Sequence, residues 1–65
     1  MITVNGEAHP WHDNLGLADL VAERSLEITR VAIELNGVVV ARTAIPTTPV
    51  PDDARVEIVH FVGGG

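Results

Sequence analysis

The chain has no cysteine, no lysine and no tyrosine, a single serine, and only two aromatic residues, Trp11 and Phe61. Without cysteine there is no disulfide framework, no thiolate nucleophile and no sulfur-ligated metal. Such a chain is held together by regular secondary structure alone, which suits a reducing cytosol, and the expected location is cytoplasmic. Without lysine, the amino terminus is the sole amine, so the chain is a poor acceptor for conjugation to itself. Apolar runs are short, so none is long enough to span a bilayer. The amino terminus enters a strand pattern at once, with no basic segment and apolar run of the secretory kind. Basic charge is scarce too: four arginines stand against nine acids, a formal net charge of −5. Nucleic acid, which demands a basic face, is therefore not the expected partner. An acidic domain matches a partner with a basic docking surface, although acidity also serves solubility, and charge alone does not separate the two.

What remains is a chain of 65 residues, 46% of them hydrophobic. That makes one small domain with one core and no room for a large enclosed cleft. Ile2 and Val4 alternate ahead of Asn5-Gly6, the strongest two-residue hairpin signal, because a type I′ turn needs positive φ at both positions. Ala8 to Trp11 is the expected return strand, at an edge because Pro10 interrupts it, with Trp11 covering the end of the core. Leu17, Leu20 and Val21 share one face of a short helix from Leu17 to Arg24 or Ser25. Gly16 stands at its N-cap and Asp19 three residues on. Leu26 and Ile28 are expected to pack back on the sheet. Arg30 to Leu35 and Val38 to Arg42 flank a second Asn-Gly turn at Asn36-Gly37. Three prolines in Thr43 to Pro51 exclude a helix or central strand there. That stretch reads as a covering loop in which Ile45 and Val50 plug the core, and Asp52-Asp53-Ala54 as a turn into the last strand. The order hairpin, helix, hairpin, crossover, strand is that of an α+β domain, one mixed sheet of four to five strands under one helix. With the first and last strands side by side in the middle, it is a β-grasp.

Few residues offer site chemistry. His9-x-x-His12 straddles Pro10, where side chains three apart point to opposite faces, so no metal site is expected. Ser25 at a helix end has no water-excluding pocket for a hydrolase triad. Asp52 and Asp53 read as a solvated turn. The glycines close the chain and do not open a helix, so they cradle no phosphate. The chain does not read as an enzyme.

The informative stretch is Val56 to Gly65. Val56 and Ile58 face inward in a strand, which turns Glu57, Val59 and Phe61 outward. Val59, Phe61 and Val62 then form a candidate partner-binding patch beside Gly63, Gly64 and Gly65. Two readings of the three glycines stand at this point. They are a frayed end or linker, or they are a side-chain-free tail that can thread a closed channel and present a reactive α-carboxylate. The expected division is a folded domain over 1–62 and a flexible tail over 63–65.

The ordered set Val4-Asn5-Gly6-Glu7, Val31-Ala32-Ile33-Glu34-Leu35-Asn36-Gly37 and Val56-Glu57-Ile58-Val59 running to Phe61-Val62-Gly63-Gly64-Gly65 resembles ThiS. These are the ubiquitin-like β-grasp sulfur carriers of thiamine biosynthesis, and the resemblance covers essentially the whole chain. Asp52-Asp53-Ala54 departs from the usual Asp-Gly-Asp, and Gly16 from the frequent Thr cap. The resemblance implies that a ThiF-like adenylyltransferase uses ATP and magnesium to adenylate the carboxylate of Gly65. A cysteine desulfurase relay then supplies sulfur to give 1-thioglycine at Gly65, and a ThiG-like thiazole synthase takes that sulfur for the thiazole ring. Gly63 and Gly64 form the threading tail, and no cofactor is bound by the carrier itself. The alternatives are a carrier for another pathway, like the small subunit of molybdopterin synthase, a conjugating modifier, or an interaction module with an inert tail.

Overall fold

The computed structural model describes residues 1–62. Strand β1, Ile2–Val4, turns at Asn5-Gly6 into β2, Glu7–His9. Helix α1 spans Leu17–Glu23, β3 Val31–Leu35, β4 Val38–Val40 and β5 Arg55–His60. The sheet order is β2-β1-β5-β3-β4, with β5 parallel to β1 and antiparallel to β3. The last strand is therefore the central one, and the sheet with its single helix has β-grasp topology. Both Asn-Gly turns have positive φ at both residues, 51° and 81° at the first and 52° and 83° at the second, as type I′ hairpins require.

One face of the sheet is sealed. Ile2, Val4, Val31, Ile33, Val56 and Ile58 point from it into the core, where Leu17, Leu20 and Val21 of α1 meet them. Each large side chain removed from water there stabilises the fold by about 1.5–3 kcal/mol. Ile45 and Val50 are buried in the same cluster, so the crossover plugs the core as expected, and Leu26 and Ile28 pack against it half-buried. Gly16 caps the helix by half a capping box. It has no side chain to give, but its N–H donates to Asp19 Oδ2 at 2.8 Å.

Several element ends differ from the sequence reading, α1 stopping at Glu23 and β2 starting at Glu7 among them. The return strand ends at His9, before Trp11, because Pro10 has no N–H to continue the ladder. The Trp11 indole instead donates to the Val50 carbonyl at 2.7 Å and ties the loop to the crossover. Arg30 belongs to a 3₁₀ turn, Ile28–Arg30, so β3 begins at Val31. β4 stops at Val40, short of Arg42. The proline-rich stretch also contains a 3₁₀ segment, Arg42–Thr47, with Pro46 inside it. Short i to i+3 turns tolerate this because neither bond needs a donor at position 46: Ala44 N–H donates to the Ala41 carbonyl, and Thr48 N–H to the Ile45 carbonyl across Pro46. The Thr48 hydroxyl closes the turn on the Ala44 carbonyl at 2.6 Å.

The edge strand β2 is fastened to the helix through His9. Its Nδ1 lies 2.7 Å from the Pro10 carbonyl and its Nε2 2.7 Å from Glu23 Oε1. Both partners only accept, so the ring satisfies both as imidazolium, and the Glu23 contact first and the Pro10 carbonyl second raise its pKa above the ordinary value. A raised pKa places the stabilisation below about pH 6.5, where the unfolded ring is also charged, and removes it as pH climbs through the folded value. His9→Gln should therefore cost about 0.5 kcal/mol at roughly pH 5.5 and close to nothing at roughly pH 8.5. Urea unfolding of both proteins at the two pH values checks this, and an equal gap at both contradicts it.

Candidate functional site

The glycines that end the chain follow directly on the best-held strand of the sheet. Even-numbered residues of β5 bond towards β1 and odd-numbered ones towards β3, and two asparagines extend these ladders where the neighbouring backbones turn away. On the β1 side, Val56 accepts from the Asn5 N–H at 2.8 Å. The Asn5 side chain then takes over: Oδ1 accepts from Ile58 N–H at 2.7 Å and Nδ2 donates to the Ile58 carbonyl at 3.1 Å. On the β3 side, Asn36 treats Arg55 alike, its N–H donating to the Arg55 carbonyl at 2.8 Å and its Oδ1 accepting from Arg55 N–H at 2.9 Å. Past the end of β5, Phe61 N–H still donates to the Arg30 carbonyl at 2.8 Å. Sequence reading took both asparagines as turn formers only; their second task has no signal beyond the Asn-Gly pair itself.

Backbone alternation sets what surrounds this root. Val59 is 57% exposed, Phe61 51% and Val62 79%, and across the same uncovered face Val39 of β4 is 72% exposed. Ala32 is the register partner of Val59 and floors the space between Val39 and Val59. The three expected patch residues are thus all exposed apolar groups at the end of β5, with Val39 as a member that a reading of the last strand alone misses. Gly63, Gly64 and Gly65, the expected tail and reactive terminus, lie outside the described residues.

The other chemistry-bearing groups are otherwise engaged or solvated. His9 is taken by Glu23, and His12 Nδ1 lies 2.7 Å from the Asp13 carbonyl. Among the described residues no three His, Asp or Glu side chains converge on a point where a metal ion would sit. Ser25 is exposed just past α1 at φ 57°. Asp52 meets the Met1 ammonium at 3.0 Å, which holds its carboxyl below the usual range. A wider depression of about 320 Å³ lies between the start of α1 and Pro46–Pro49, and its one carboxylate, Asp19, is committed to the helix cap.

Fold and exposed residues together define a class: a small β-grasp protein whose central strand leads to a patch of exposed apolar residues, with three glycines following in the sequence. The ThiS family model matches residues 1–65, and the chain belongs to the ThiS family. It is 35% identical to a sulfur carrier protein ThiS of Bacillus subtilis over 66 residues, covering all of both chains. It is 34% identical to a thiamine biosynthesis protein (ThiS) of Geobacter metallireducens of known structure. That superposition has a TM-score of 0.75 and covers 98% of this chain and 97% of the other. A thiazole synthase of Magnetococcus marinus is 34% identical over 64 residues, and there the chain spans only 20% of the relative's length.

The asparagine clip on Ile58 can be tested without disturbing the turn, because glycine accepts positive φ. Asn5→Gly should cost about 2 kcal/mol of stability, from two lost side-chain bonds and a freer unfolded chain. In native-state hydrogen exchange the Ile58 amide should lose protection out of proportion to Ile33. An unchanged Ile58 rate would show that the clip does not hold the strand.

Proposed function

We infer that the chain carries sulfur for thiazole formation on the α-carboxylate of Gly65. Membership of the ThiS family makes it a sulfur carrier of thiamine biosynthesis, a co-substrate and not a catalyst. The observation that carries the finer reading is the position of β5: the central strand, laddered on both edges, is followed by exposed Phe61 and Val62, and the next residues are Gly63, Gly64 and Gly65.

The chemistry follows from the groups available. A carboxylate is a poor electrophile, so a ThiF-like adenylyltransferase with ATP and magnesium first converts it to an acyl-adenylate, releasing pyrophosphate. The terminal sulfur of a persulfide on a cysteine desulfurase relay attacks the carbonyl carbon and AMP leaves, giving an acyl disulfide. A second thiol of the reducing cytoplasm then cleaves its S–S bond, is itself oxidised to a disulfide with the relay cysteine, and frees the thiocarboxylate, 1-thioglycine. With no cysteine in the chain, sulfur has no persulfide site to occupy, which leaves the terminus as its place. A ThiG-like thiazole synthase is the acceptor; the likeness to a thiazole synthase chain supports that choice. Gly63 and Gly64 have no Cβ to obstruct passage through a closed channel. Val59, Phe61 and Val62 dock against the partners, as exposed apolar groups beside a reactive end do. These steps belong in the cytoplasm, where ATP and reduced thiols are at hand.

Intact mass after incubation with the adenylyltransferase, ATP, cysteine and desulfurase should show one oxygen replaced by sulfur. A carrier amidated at Gly65 should stay unchanged, and an unchanged wild-type mass would reject the reading. Phe61→Ala should raise the KM for the carrier in the adenylation step roughly tenfold while kcat and the melting temperature hold, since a buried aromatic anchor contributes about 1–2 kcal/mol or more. Pyrophosphate release against carrier concentration measures it.

A further inference from the structure

The uncovered face of the sheet holds an arrangement that the apolar patch does not explain. Glu34 of β3 and Glu57 of β5 are register partners, directly opposite one another on that face. Directly opposed side chains have Cβ atoms about 4.5–5.5 Å apart, and like charges so placed are destabilising. Among the described residues neither carboxylate has an ion-pair partner within 4.0 Å. The nearest cation along β5 is Arg55, whose guanidinium is turned to the hairpin: Nη2 lies 3.5 Å from where a Cβ on Gly37 would stand. Beside the two acids is a cleft of about 80 Å³, floored by Ala32 and walled by Val39 and Val59. Glu34 and Glu57 line the same cleft, with Val39 directly opposite Glu34 and Val59 one row further along β5, so apolar and acidic groups share its walls, and Glu57 is half-buried.

We propose that this cleft receives an arginine side chain from the adenylating partner, its methylene stem between Val39 and Val59 and its guanidinium bridging Glu34 and Glu57. The inference rests on the carrier reading above and extends the docking surface from the end of β5 across β3 to β4. Charge complementarity selects a cation, and the amphipathic cleft selects one on a long apolar stem. Two carboxylates side by side favour the planar five-donor fork of arginine over the point charge of lysine. The arginine also places a positive charge between two acidic side chains that stand directly opposed in the sheet.

Two measurements test it. In the free protein, N-acetyl-arginine methylamide should shift the amides of Glu34, Glu57 and Val59 saturably, with the lysine analogue several-fold weaker at equal ionic strength. The shifts should vanish in the Glu34→Gln/Glu57→Gln double variant. Non-saturating shifts, or equal ones for both probes, overturn the proposal whether or not the carrier reading stands. In the adenylation assay each single Gln variant should raise the KM for the carrier roughly tenfold at unchanged kcat and weaken its salt dependence, with a melting temperature equal to or above wild type. An unchanged KM overturns the arginine site while leaving sulfur carriage intact, and a raised KM with a lowered melting temperature overturns it by assigning the pair a structural role. A wild-type carrier that releases no pyrophosphate rejects the carrier reading, and with it the arginine's assignment to an adenylating partner.

Discussion

The structure depends on the pairing of β5 along both of its edges. The residues next to a terminus are ordinarily the first to fray. Here the last strand lies in the middle of the sheet, parallel to β1 on one side and antiparallel to β3 on the other. Its inward residues Val56 and Ile58 sit at the centre of the core. Two hairpin asparagines continue the ladders beyond the neighbouring backbones, Asn36 at the first residue of β5 and Asn5 at Ile58. Each does so from a type I′ turn, so a single residue type sets the hairpin and pins the central strand.

Burying one face of β5 fixes the other. Because strand side chains alternate, holding Val56 and Ile58 inward forces Glu57, Val59 and Phe61 outward with no further instruction. Helix α1 covers the opposite face, which leaves this one open among the described residues. Apolar residues cluster at the end nearest the glycines, and the opposed acids lie deeper in the face. Exposed apolar area is thus concentrated at the end of β5, and the acidic pair sits behind it.

Much of this was legible in the chain. Asn5-Gly6 and Asn36-Gly37 located both hairpins, the spacing of Leu17, Leu20 and Val21 located the helix, and the period of two in Val56 and Ile58 gave the buried face of the last strand. Ile45 and Val50 were recognisable as core because they were isolated apolar residues in an otherwise polar, proline-rich run. The misplacements were at ends. Pro10 cut the return strand sooner than a pattern of side chains suggests, and Pro46 was accommodated in a 3₁₀ segment because turns that short have few bonds to lose. The opposition of Glu34 and Glu57 could not be read at all. It is a property of register between strands more than twenty residues apart, and so is the way Val39 joins the patch.

The middle position of β5 also decides how the domain answers a mechanical load. Tension applied to the chain beyond His60 acts along the axis of this strand. Both flanking ladders then resist in shear, with their hydrogen bonds loaded together and not peeled one at a time. The strand can carry tension while the body of the protein stays whole.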